Sequence, residues 1–261
     1  MGPRMTYQTL LVSQTDGLAV ITLNRPAVMN ALNATLRAEL LAAIRAAIGT
    51  ARALVLTGAG RAFCSGQDLS DSPVADLDLE AILRDEYEPL LRLLQECPIP
   101  TLAAVNGAAA GAGANLALAC DVVIASESAS FIQAFTRIGL IPDAGGTWTL
   151  PRQIGIARAM GAMLFADRIG ARQAADWGMI YEAVPDAGFA DHWQARAQSL
   201  ATGPTAAFAA LKQALRASPG NGFEAQLALE AQMQGICGQT ADFREGVAAF
   251  LEKRPARFSG S

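Results

Sequence analysis

The run FIQAFTRIGLIPDAGGTWTLPR, Phe131 to Arg152, holds a single carboxylate, Asp143, between a proline and a pair of glycines. Apolar surroundings disfavour the charged form of an acid and raise its pKa, which lets it take a proton near neutral pH and hand it back. The plainer alternative is a turn residue, since Pro, Asp and Gly all favour turns. Two glycine-rich stretches can supply the rest of a reaction centre. One is Gly58 to Leu69, ending in FCSGQDL, and the other is Asn106 to Asn115, NGAAAGAGAN. Each follows an apolar strand-like run and precedes a helix-like one. Small residues let the backbone approach a ligand and leave N–H groups unpaired at a helix start. Two such turns brought together can hold one developing oxyanion, although tight helix packing explains glycine equally well. Neither stretch is a Walker A motif, and neither is a GxGxxG followed by an acid about twenty residues on.

Other chemistries find little support. His192 is the only histidine and lies in a polar helical stretch, DHWQARAQ, so catalytic triads and histidine metal sites are disfavoured. Cys64, Cys97, Cys120 and Cys237 show no ligand spacing and read as free thiols of a reducing cytoplasm. A net charge of -4 argues against a nucleic-acid partner. No segment has the roughly 18 uncharged apolar residues of a membrane span, and the opening MGPRMTYQ lacks the apolar core of a secretory signal.

These groups must be positioned by an α/β scaffold. LLVSQTDGLAVITLNRP alternates around Asp-Gly and predicts a hairpin from about Tyr7 to Leu23. Asn33 is placed to cap a helix whose apolar residues Leu36, Leu40, Leu41, Ile44 and Ile48 recur at helical spacing. ALVLTG, TLAAVNG, DVVIAS and SASFIQA predict further strands, and a helix is expected from about Leu79 to Gln95. Beyond Trp148 the pattern is almost wholly helical, broken at Gly155, Gly170, Gly178, Gly203-Pro204 and Gly220. This order gives an α/β core over residues 1–200 and a helical region over 201–261.

TLNRP with NAL, GRAFCSGQDL, AAVNGAAAGAGANLALACDVVIAS, GLIPDAGGTWTLPR and REGVAAFLEKRPARF, in that order along nearly the whole chain, resemble the crotonase, or enoyl-CoA hydratase/isomerase, superfamily. The resemblance implies a spiral of ββα units with a C-terminal α-helical trimerisation region, hence a homotrimer or a dimer of trimers. It implies a coenzyme A thioester as substrate, with coenzyme A entering only as part of it and no metal or redox cofactor. The thioester oxygen would meet the main-chain N–H groups of Gln67 and Ala112. The adenine end would lie along Ala62 to Leu69, taking in Ser65, Gly66 and Asp68, while Arg25 or Lys253, the latter across a subunit boundary, would meet phosphates.

Hydratases of the superfamily hold two glutamates over the substrate. The matching positions here carry Asn115 and Phe135, an amide and a phenyl ring that cannot exchange protons with water. The aryl dehalogenases use a carboxylate at the position of Asp143 but add a histidine and a tryptophan. This chain has no histidine before His192 and has Phe135 at the tryptophan position. Isomerases use that same carboxylate to carry protons. FCSGQDL, VNGAAAGAGANLAL, FIQAFTRIGLIPDAGGTW, DWGMI and DFREGVAAFLEKR resemble the isomerase branch found in bacterial phenylacetate degradation. That branch converts 1,2-epoxyphenylacetyl-CoA to an oxepin thioester and shifts enoyl-CoA double bonds. Phe135 suits an aromatic acyl group, and Asn115 could add a hydrogen bond to the substrate. An aliphatic Δ3,Δ2-enoyl-CoA isomerase or enoyl-CoA hydratase-like protein of fatty-acid breakdown, and a non-catalytic acyl-CoA-binding protein, are the other readings.

Overall fold

The computed structural model describes residues 6–70 and 78–261. The first residues of the opening stretch, 1–5, lie outside the described residues. Strands β1 (Leu10–Thr15) and β2 (Leu18–Leu23) form the expected hairpin, in register from Leu10↔Leu23 to Thr15↔Leu18. Asp16 and Gly17 both take positive φ, the geometry a two-residue hairpin turn needs. Helix α1 (Ala34–Ile48) starts where Asn33 accepts a hydrogen bond from the Leu36 N–H, and it buries Leu36, Leu40 and Ile44.

From there the chain alternates between two sheets. Strands β3 (Ala53–Gly58), β5 (Thr101–Val105), β7 (Val122–Ser126) and β10 (Glu182–Val184) extend the hairpin into a six-stranded sheet of order β1-β2-β3-β5-β7-β10, parallel from β2 onward. Strands β4 (Ala62–Cys64), β6 (Ala108–Ala110), β8 (Ser130–Ile132) and β9 (Ile169–Gly170) make a second sheet of four. Each successive pair, β3 and β4, β5 and β6, β7 and β8, puts one strand in each sheet before a helix carries the chain back. This is a spiral of ββα units. The unbroken apolar runs of β3 and β5 follow from burial on both faces.

Two sequence expectations need correction. The glycine-rich stretches are not turns throughout, because each contains a three-residue strand, β4 or β6. Runs that short and rich in alanine have no readable period. The tail beyond Trp148 likewise includes β9 and β10. Their pairing with β8 and β7 decides their conformation, not their composition.

The predicted helix over Leu79 to Gln95 is continuous but not uniform. It runs as α2 (Leu79–Ile82), a π turn (Leu83–Tyr87) and α3 (Glu88–Gln95). Helix α4 (Ala112–Leu118) is buried along its whole length, and α5 (Gly146–Phe165) is kinked at Gly155. Next come α6 (Ala171–Asp176) and α7 (Phe189–Ala201), where His192 bonds Glu182 at 2.7 Å. The tail is α8 (Thr205–Ala217), α9 (Phe223–Cys237) and α10 (Ala241–Glu252). Lys212 and Arg216 of α8 pair with Asp121 and join this tail to the sheet layer. No helix among the described residues is long and apolar enough to cross a membrane.

Candidate active site

A cavity of about 290 Å³ opens where four elements meet. These are the turn after β4, the start of α4, the loop from Ala134 to Asp143 after β8, and the face of α2 and its π turn. Most of its wall is apolar, with Leu69, Ile82, Leu83, Phe135, Ile138 and Leu140 prominent.

Gly66 makes the first turn possible. Its φ of +93° is disfavoured for any side chain, and a Cβ there would sit 2.8 Å from the Ala110 carbonyl oxygen and 3.4 Å from the Ala112 nitrogen. The two glycine-rich stretches therefore touch at this point. Among the described residues, no hydrogen-bond acceptor faces the main-chain N–H of Gln67 or of Ala112. Both residues line the cavity. Two unpaired amides at one apolar cavity wall can stabilise negative charge on a ligand oxygen.

Asp143 faces the same space. Its Oδ1 is buried without a hydrogen-bond partner. Burial pushes its pKa up to about 6, opposed only by a hydrogen bond to its own main-chain amide. The backbone around it is fixed from behind. The Asp143 carbonyl accepts from Asn115 Nδ2 and from the Gly146 N–H, both at 2.8 Å, and Asn115 Oδ1 accepts from Gln133 Nε2 at 2.8 Å. Gly146 is required here, since a Cβ would come within 2.3 Å of Asn115 Nδ2.

Of the residues singled out from sequence, Ser65, Gly66, Gln67, Leu69, Ala112, Phe135 and Asp143 line the cavity. The others lie outside it. Asn115 is buried, and both ends of its amide are committed to Asp143 and Gln133, so the hydrogen bond to substrate expected of it is replaced by a structural one. Arg25 bonds Asp68 at 2.7 Å and the Ala31 carbonyl at 2.5 Å, which turns its charge into the protein. Asp68 is held below the usual carboxylate range by the Ser70 hydroxyl and by Arg25, and it ties the turn together. Ala62 is almost fully buried in β4, and its carbonyl accepts from Asn30 Nδ2. Lys253 sits at the exposed end of α10 in a left-handed conformation. Of the apolar residues in the run that carries Asp143, Phe135, Ile138 and Leu140 line the cavity, whereas Phe131 is fully buried in the core. Sequence reading missed Leu79, Ile82, Leu83, Tyr87, Ala134 and Arg137. The first four form an apolar stripe at helical spacing, but periodicity alone does not say that such a stripe faces a cavity.

The chain is similar over nearly its whole length to known proteins. The family model for enoyl-CoA hydratase/isomerase matches residues 13–261. A probable enoyl-CoA hydratase of Rhodobacter capsulatus is 66% identical over 256 residues, covering 98% of this chain and 100% of that protein. The 1,2-epoxyphenylacetyl-CoA isomerase of Escherichia coli is 47% identical over 252 residues, covering 94% of this chain and 95% of that one. Among solved structures, the enoyl-CoA hydratase of Bacillus anthracis superposes with a TM-score of 0.90 at 33% identity, over 97% of this chain and 100% of that one.

Proposed function

The chain belongs to the enoyl-CoA hydratase/isomerase family and is an enzyme of CoA thioesters, and we propose that within this family it is an isomerase with Asp143 as the proton carrier. One observation carries this reading. Asp143 is the only carboxylate among the described residues that line the cavity. Water addition needs acid and base groups to position and split a water molecule, and here the two positions implied for them hold a structural amide and Phe135. Isomerisation neither adds nor removes atoms, so one proton shuttle is enough.

For a 3-enoyl thioester the electron movement is simple. The Asp143 carboxylate takes a proton from C2, and the C–H electron pair moves into the thioester to give an enolate. The Gln67 and Ala112 N–H groups hold its oxygen. The protonated Asp143 then returns the proton to C4 and the double bond moves to C2–C3. A pKa near 6 suits both halves, because neither form of the acid is far from reach at neutral pH.

The apolar wall, with Phe135 where a hydratase glutamate would stand, supports a ring-bearing acyl group. The preferred substrate is therefore 1,2-epoxyphenylacetyl-CoA, isomerised to oxepin-CoA, with enoyl-CoA double-bond shifts alongside. Coenzyme A arrives as part of the substrate. The reading extends to the cytoplasm, supported by four cysteines without a disulfide. It extends also to a homo-oligomer, supported by the exposed Phe223, Phe250 and Leu251 of α9 and α10.

The 66% identity to the probable enoyl-CoA hydratase of Rhodobacter capsulatus favours a hydratase as the second reading. A panel of aryl and aliphatic thioesters with mass spectrometry of the products separates the two. Isomerase action leaves the substrate mass unchanged, with the ring epoxide turned over faster than a straight-chain 3-enoyl-CoA. Products of a 2-enoyl-CoA heavier by one water, formed faster than any isomerisation, would overturn the proposal.

A further inference from the structure

The side chain of Gln67 enters a partly buried polar cluster that the mechanism above does not use and whose Tyr87 also lines the cavity. Its Oε1 accepts two hydrogen bonds, from Arg37 Nη1 at 2.9 Å and from the Tyr87 hydroxyl at 2.5 Å. Arg37 is 2% exposed although it carries a charge, and every arm of its guanidinium is engaged. Nε and Nη2 meet Glu86 Oε2, each at 2.8 Å, and Nη1 also meets the Leu32 carbonyl at 2.7 Å. The guanidinium also lies 5.2 Å from the centroid of the Tyr87 ring. Glu86 and Tyr87 both come from the π turn, a helix irregularity that recurs at functional sites.

The cluster bears on a single peptide plane. The Gly66 carbonyl accepts from the Leu32 N–H at 2.8 Å, and the Leu32 carbonyl accepts from the Asp68 N–H at 3.2 Å. In a trans peptide the C=O and the following N–H point in opposite directions, so anchoring the Gly66 carbonyl on Leu32 turns the Gln67 N–H the other way. That bond restrains rotation of the plane about its ends, and the Gln67 side-chain amide, gripped by two donors, can restrain it further.

We propose that Arg37 and Tyr87 are positioning residues for catalysis, which hold the Gly66–Gln67 peptide as an oxyanion donor by acting through the Gln67 side chain. This inference rests on the reading that the thioester oxygen meets the Gln67 N–H. Burial raises the Tyr87 pKa, so its hydroxyl keeps its proton and remains a donor throughout the working range. The residue needed at 67 is one with a side-chain oxygen at the reach of glutamine.

The test uses phenylacetyl-CoA carrying a ¹³C label at the thioester carbonyl, a bound probe that cannot isomerise. Vibrational difference spectra report how strongly the carbonyl is polarised, which a purely structural role would not change. Wild type lowers the carbonyl frequency. Tyr87→Phe keeps the ring and its packing but loses the bond. It gives back part of the frequency shift, and its kcat on a 3-enoyl-CoA falls about 3- to 10-fold while KM stays within about twofold. Gln67→Met behaves alike, and Gln67→Glu, which keeps the acceptor oxygen, retains more of the shift. Absence of any shift in wild type would remove the oxyanion reading and the inference with it. A full shift and full kcat in both Tyr87→Phe and Gln67→Met would overturn the inference alone. Arg37→Met is the harsher variant; should it fail to fold, Tyr87→Phe and Gln67→Met still decide.

Discussion

Replacing Asp143 by asparagine should stabilise the protein while disabling it. The pKa of this acid rises from an ordinary 3.8 to about 6 because burial disfavours the charged form. Between those values the folded protein binds more protons than the unfolded chain, so folding stability falls as pH rises through that window. At about 1.36 kcal/mol per pH unit, the span corresponds to a ceiling of about 3 kcal/mol. Asp143 is only partly buried, and solvent screening reduces this to about 1–2 kcal/mol. Asparagine has nearly the same shape and carries no charge. The expected result is that Asp143→Asn gains about 1–2 kcal/mol over wild type above pH 7 and about half of that at pH 5. For a chain of this length the gain at neutral pH appears as a rise in Tm of about 2–4 °C. Urea unfolding of both proteins from pH 5 to pH 8 measures it, and their difference cancels every other titrating group. Parallel stability curves, or a variant less stable than wild type at pH 7.5, would refute the claim that burial holds this acid in an unfavourable ionised state.

Two other substitutions probe the scaffold of the site. Gly66→Ala forces a side chain into a φ of +93° with its Cβ 2.8 Å from the Ala110 carbonyl oxygen, which should displace the Gln67 N–H. The expected loss is about 100- to 1000-fold in kcat, the cost of one oxyanion donor, read by steady-state kinetics on a protein whose circular dichroism is unchanged. Asn115→Leu leaves the Asp143 carbonyl and the Gln133 amide short of partners. It should cost about 1–3 kcal/mol in urea unfolding and lower kcat with little change in KM, because the acid is mispositioned but the acyl cavity is intact.

The fold could be read from sequence where local chemistry and long-range packing agree. The Asp16-Gly17 hairpin, the Asn33 cap and the apolar strands β3, β5 and β7 each bear a strong local signal. The short strands β4, β6, β9 and β10 are made by their neighbours, and nothing in two or three residues announces them. The same division holds in the site. Gly66, Gln67, Ala112 and Asp143 stand in turns whose backbone needs particular residues. Arg37 and Tyr87 look in sequence like ordinary members of helices, and only the packing of α1 against the π turn brings them to Gln67. The family resemblance sets Arg25 against the ligand's phosphates and Asp68 along its adenine end. They satisfy each other instead, as partly buried opposite charges tend to do.

Solvent deuterium exchange at C2 of a bound thioester tests the central claim most directly, because it isolates proton removal from later bond changes. Wild type saturated with phenylacetyl-CoA in D₂O should exchange its C2 protons, with a rate that climbs through a pH near 6 and levels off above it, as the Asp143 base ionises. Asp143→Asn should bind the thioester with similar affinity and show no exchange above background. Equal exchange in the two proteins would contradict the account and take the proton-carrying role away from Asp143.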